Sequence, residues 1–163
     1  FPISNYIVKL MFSSALNQIR SRNGMLASFV IFLLYLEKRY SSSMLKTFRK
    51  FLWQPLLNLQ IHPNSFDSLE NILTLHLTHP FMIIIHEYSK IGNNCTIYHE
   101  CTIGLREHKS LTPPRIGKNV FIGCKSLILG DVFIGDNTRI GAGSIILATT
   151  PPCSTITGLY KAN

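Results

Sequence analysis

Six histidines and four cysteines are the residues of this chain whose chemistry could run a reaction near neutral pH. Histidine suits a general base, because its ordinary pKa lies close to operating pH. The candidates are His62, His76, His79, His86, His99 and His108. Cys95, Cys101, Cys124 and Cys153 form no CxxC pair, and no histidine cluster sits at zinc spacing. Neither a structural nor a catalytic metal site is expected. A disulfide framework is not expected at this density either, and the cysteines read as small apolar residues of a reducing cytosol. His108 lies in a charged, proline-flanked stretch, where it is either functional or solvated. His99 lies between two inward positions of a strand-like run, so it projects outward, toward a cleft or plain solvent.

The elements that must position these side chains follow two different periods. In residues 1–60, Ile7, Leu10, Met11 and Ile19 recur at helical spacing, and Asn23-Gly24 signals a turn. A second helix is expected over Met25–Tyr40 and a third over Ser43–Leu52, with Pro55 ending or kinking it. The second is apolar almost all round, which predicts burial or an interface. Its longest apolar run, Met25–Leu36, is too short to span a bilayer and lies too far in for a signal-peptide core. The chain starts at Phe1 without methionine, so a longer natural N-terminus is expected.

Beyond residue 80 isoleucine recurs every six residues: Ile85, Ile91, Ile97 and Ile103, then Ile116, Ile122, Ile128, Ile134, Ile140 and Ile146. Glycine follows at Gly92, Gly104, Gly117, Gly123, Gly135 and Gly141, and four places after most isoleucines stands a small or β-branched residue. Six residues are too few for a helical repeat and fit one short strand plus a corner. The isoleucine should point inward, the glycine should allow a turn at positive φ, and the small residue should fit inside the bend. Stacked units bury a column that no single unit could bury. The phase breaks between Ile103 and Ile116, so residues 105–115 should leave the stack as a loop. The organisation expected is a helical region 1–60, a connection 61–78 and a repeat domain 79–163.

Isoleucine, glycine and a small residue at these offsets resemble the left-handed parallel β-helix acyltransferases over residues 77–161. That resemblance implies triangular coils of three hexapeptides, a homotrimer and an active site between neighbouring prisms. The stretch His79–Gly104 is similar to that of serine acetyltransferases, which begins at a catalytic histidine in "HATG" and ends in "VTLG". His79-Pro80 through Ile85, followed by Ile91-Gly92-Asn93-Asn94-Cys95-Thr96-Ile97, more closely resembles capsule and lipopolysaccharide O-acetyltransferases. Pro151-Pro152-Cys153-Ser154 with Gly158 is similar to the family's ending. The resemblance implies His79 as base and acetyl-CoA as donor, without a metal. The family's orienting aspartate lies in "DIHP", where this chain has Gln60-Ile61-His62-Pro63, so Asp67 or Glu70 is expected to supply the carboxylate. Gly123-Cys124 and Gly141-Ala142-Gly143 are implied along the pantetheine arm, with Lys161 at the CoA phosphates. His99 and Arg106 are expected at the acceptor, and His108 as a displaced second histidine, because Pro113 stands where serine acetyltransferases carry one.

The expected function is therefore an acetyl-CoA-dependent O-acetyltransferase acting on a sugar hydroxyl of a surface polysaccharide. Serine O-acetyltransferase is the first alternative and a non-catalytic structural β-helix the second. The net charge of +8 is uneven. Residues 1–60 hold eight basic groups against Glu37 alone, whereas residues 61–163 hold eight basic and seven acidic groups. The basic helices suggest an anionic membrane surface at a cytoplasmic face, and no nucleic-acid motif accompanies the charge.

Overall fold

The computed structural model describes residues 13–106 and 111–162. The expected helical positions Ile7, Leu10 and Met11, and His108 in the loop, lie outside them. A helix α1 runs through residues 13–22, followed by α2 (Met25–Tyr40) and α3 (Ser43–Phe48). The third helix does not stop at Leu52. It widens into a π-helical turn at Arg49–Trp53 and continues as α4 (Gln54–Leu57), with Pro55 in its first turn. Proline cannot donate the next i→i−4 bond, so the winding must loosen before it. Asn58, in the left-handed region at φ 46°, ends the helical path.

α2 buries one face only. Ala27, Val30, Ile31, Leu34 and Tyr35 enter the core, whereas Met25, Leu26 and Phe29 stay exposed. No helix among the described residues is long and apolar enough to cross a membrane. A short 3-10 turn (Pro63–Ser65) and α5 (Leu69–Leu73) then bring the chain to the prism.

Among the described residues thirteen strands of two or three residues follow, beginning at β1 (His76–Thr78), three residues before the expected domain start. They form three parallel faces. One face contains β1, β4 (Thr96–Tyr98), β7 (Phe121–Ile122), β10 (Arg139–Ile140) and β12 (Thr155–Ile156). A second contains β2 (Ile84–Ile85), β5 (Thr102–Gly104), β8 (Leu127–Leu129), β11 (Ile145–Ile146) and β13 (Leu159–Tyr160). The third contains β3 (Lys90–Ile91), β6 (Arg115–Ile116) and β9 (Phe133–Ile134). Register is set by the isoleucines: Ile97 faces Ile122, which faces Ile140, and Ile103 faces Ile128, which faces Ile146. Every one of these is buried, so each coil closes over the apolar surface of the last. This is the left-handed β-helix that the repeat predicts, preceded by a small helical region.

The repeat glycines do not serve the turns as expected. Positive φ falls instead on the residue before each small inward residue: Asn94, Glu100, Asn119, Lys125, Asn137 and Gly143. Asparagine tolerates the left-handed region better than most side chains, which accounts for its recurrence there. Gly123 is required because the next coil is too close. A Cβ there would lie 2.5 Å from the backbone nitrogen of Ala142. The small residues turn inward and satisfy corner carbonyls. Ser126 Oγ donates to Gly123 O at 2.7 Å, Ser144 Oγ to Gly141 O at 2.6 Å, and Cys101 Sγ contacts Gly123 O at 3.1 Å.

Cys95 and Cys101 belong to this interior, and burial pushes both thiols up to about 11. At pH 8 they are protonated and enclosed, whereas Cys153 is exposed. Iodoacetamide should therefore alkylate Cys153 in the native protein and reach Cys95 and Cys101 only on unfolding. Peptide mass mapping before and after denaturant checks this. Rapid native labelling of Cys95 or Cys101 would contradict the packing.

Candidate active site

His79 stands at the corner between β1 and β2, exposed and at φ 54°. Leu77 pairs with Ile97 and Ile85 with Ile103, so this corner takes eight residue steps where the next coil takes six. The two additional residues make His79–Met82 bulge outward. The bulge is tied at both ends. Phe81 N donates to His79 O at 2.7 Å, and Met82 N donates to Leu57 O at 2.9 Å at the end of α4. On the upstream side the buried Asn23 links α1 to β1: its Nδ2 donates to Ile19 O and Leu75 O, and its Oδ1 accepts from Leu77 N at 2.9 Å. The helical region thus fixes the strand that ends in His79. A groove of about 260 Å³ opens beside the histidine, between His76–Phe81 and the first turn of α2.

The next coil places His99 at the same corner. Its ring lies edge-on to that of His79, with centroids 6.0 Å apart. His99 Nδ1 is buried and has no partner among the described residues. His99 Nε2 approaches Glu100 Oε1 at 3.9 Å, and Lys125 Nζ approaches Glu100 Oε2 at 3.7 Å. Backbone bonds continue the column: Glu100 N to Phe81 O at 3.0 Å, Lys125 N to His99 O at 3.2 Å, and Gly143 N to Cys124 O at 2.8 Å. His79, His99, Gly123-Cys124 and Gly141-Ala142-Gly143 therefore share one edge of the prism. Gly143, at φ 68° with nothing within 4 Å of a virtual Cβ, leaves that edge open.

Other expected site residues lie elsewhere. Asp67 forms a 2.8 Å ion pair with Lys90 Nζ beside β3, the face opposite the His79 corner, and cannot orient His79. Glu70 is exposed in the first turn of α5, and no contact joins it to His79. The reason is the docking of the 3-10 turn and α5, which carries both carboxylates toward β3. Arg106 packs its Cβ over Gly130, at the corner where the loop leaves the stack. Lys161 is exposed beyond β13, near the far end of the prism. Glu100 is the carboxylate that the sequence reading missed. Counting back from the inward Ile97 and Ile103, rather than from the His79 motif, would have placed it at this corner. Among the described residues no group of three or more His, Cys, Asp or Glu side chains is arranged to hold a metal.

Hexapeptide coils with a histidine at the head of one open edge thus build this prism. Residues 113–148 match the family model described as bacterial transferase hexapeptide (six repeats), so the chain is similar to the hexapeptide-repeat transferases. Among its relatives is a serine acetyltransferase of Staphylococcus epidermidis, 33% identical over 128 residues that cover 77% of this chain and 56% of the relative. A serine acetyltransferase of Helicobacter pylori is 35% identical over 104 residues, covering 63% and 58%. A solved serine acetyltransferase of Neisseria gonorrhoeae, in complex with serine, superposes with TM-score 0.65 at 31% identity, covering 80% of this chain and 54% of that one. The chain spans about half the length of the relatives it matches.

These relatives overturn the expected polysaccharide acceptor. The motif behind that expectation is mostly coil geometry. Asn94 takes the positive-φ corner, Cys95 is the buried small residue and Ile97 is the inward position. Such residues report how the coil turns and carry no information about the acceptor.

Proposed function

We propose that this chain carries the catalytic prism of an acetyl-CoA-dependent serine O-acetyltransferase, with His79 as general base. The observation that carries the reading is the open edge that His79 shares with His99, Gly123-Cys124 and Gly141-Ala142-Gly143. The names of the relatives support serine as the acceptor, and the 260 Å³ groove is of a size for a small amino acid.

In the reaction His79 takes the proton of the acceptor hydroxyl as its oxygen attacks the thioester carbonyl. Collapse of the tetrahedral intermediate breaks the carbon–sulfur bond, and the proton passes to the departing thiolate. No covalent enzyme intermediate is required. His99 stands against His79 and serves to position its ring or the acceptor, with Glu100 behind it. Cys124, Ala142 and Gly143 line the path of the pantetheine arm, where small side chains and an exposed backbone admit it. Arg106 packs over Gly130 at a different corner of its own prism, so in a homotrimer of the kind hexapeptide-repeat acetyltransferases form it would serve a neighbouring prism's edge. Acetyl-CoA offered with L-serine, L-threonine and a panel of oligosaccharides tests the acceptor, with the free thiol measured. Preference for an oligosaccharide over L-serine would refute it.

A further inference from the structure

A second concavity lies away from His79. It is a cleft of about 920 Å³ between the α2–α3 turn and the β2 side of the prism. Its walls bring together Lys38 of α2, Lys46 of α3 and Lys50 of the π-helical turn. None of the three has an ion-pair partner among the described residues, although Lys46 and Lys50 stand one turn apart and repel. Of the cleft's two carboxylates only Glu37 has a permanently charged partner, because burial lowers the His62 pKa, and Lys38, Lys46 and Lys50 still outnumber Glu87. Glu37 Oε2 accepts from Arg49 Nε at 3.0 Å, and Glu87 approaches His62 Nε2 at 4.0 Å. The cationic excess therefore faces open space.

A second observation points to a ligand. Glu37 is 5% exposed, lines this cleft, and its Oε1 has no hydrogen-bond partner. A buried carboxylate oxygen without a donor is costly and rare. Donor and anion sites thus occur together: three free ammonium groups for a multiply charged anion, and one buried acceptor for a hydroxyl. A phosphate monoester carries nearly two negative charges at neutral pH and strong acceptor oxygens, which suits three cations better than a singly charged group.

We propose that this cleft binds a small phosphate monoester bearing hydroxyl groups, its phosphoryl group among Lys38, Lys46 and Lys50 and one hydroxyl donating to Glu37 Oε1. The site is separate from the acetyl-transfer edge and does not rest on the acceptor assigned there.

Isothermal titration calorimetry of the whole chain tests it, with ribose 5-phosphate, inorganic phosphate and ribose as probes. Ribose 5-phosphate should bind saturably, inorganic phosphate more weakly, and ribose alone not measurably. The double variant Lys46→Ala/Lys50→Ala, at two exposed positions, should weaken ribose 5-phosphate by at least about tenfold while leaving acetyl transfer unchanged. Glu37→Gln should reduce ribose 5-phosphate binding toward that of phosphate. Saturating ribose 5-phosphate should leave the KM for acetyl-CoA unaltered. No saturable binding, or affinity unchanged in the lysine variant, would overturn the proposal. Equal affinity for phosphate and ribose 5-phosphate would overturn the hydroxyl-bearing class. A rise in the KM for acetyl-CoA would place the anion in the donor's own site and overturn the separate one.

Discussion

Replacing His79 by asparagine should lower kcat for acetyl transfer by about 10²–10⁴-fold, the range that a positioned general base contributes. Asparagine is the informative choice. His79 sits at φ 54°, where asparagine is tolerated and alanine is strained. Its side chain is exposed and its backbone oxygen keeps the bond from Phe81 N, so the corner should survive the change. The thermal midpoint should shift by no more than an ordinary surface substitution allows. Because proton removal occurs only on the way to the transition state, kcat and kcat/KM should fall together. A variant that melts normally and retains full activity would remove His79 from the mechanism.

Truncating Ile122 to alanine should cost about 2–5 kcal/mol of stability. Ile122 is fully buried, and parallel pairing stacks it between Ile97 in the coil before and Ile140 in the coil after. Each neighbour is itself held by backbone bonds to the next coil: Thr96 N to Val120 O at 2.9 Å, Phe121 N to Thr138 O at 3.0 Å. The coils cannot close over the missing methylenes without breaking that ladder, so the cavity should persist and the loss should fall in the upper half of the range. Urea unfolding at one fixed protein concentration measures it, which keeps any oligomeric contribution constant. A loss under about 1 kcal/mol would mean that the inward column is more compliant than its register implies.

What the sequence disclosed and what it concealed divide along physical lines. The isoleucine column was legible because every coil repeats the same demand for one inward apolar residue. The wider spacing between β5, ending at Gly104, and β6, beginning at Arg115, was legible for the same reason. The α2 limits, Met25–Tyr40, follow from a glycine before the helix and a basic last turn. Gly123 was misread because a missing Cβ can answer either of two needs, positive φ or close approach, and only coordinates separate them. Asp67 was misplaced because its partner Lys90 is chosen by how α5 docks on β3, a long-range event with no local signature. The pairing of His79 with His99 was hidden by the two-residue expansion of the first corner, which hexapeptide counting passes over. The acceptor was misjudged because residues that shape a corner were taken as marks of substrate.

Acetyl transfer from acetyl-CoA to serine at the His79 edge, as proposed, can be followed directly. The most direct measurement is the initial rate of free-thiol release from acetyl-CoA as L-serine is titrated, with O-acetylserine quantified in the same samples. The expected result is a rate that rises and saturates with L-serine, one O-acetylserine formed per thiol released, and loss of both in His79→Asn. Thiol release by the folded protein that does not respond to L-serine, or that yields no O-acetylserine, would contradict it.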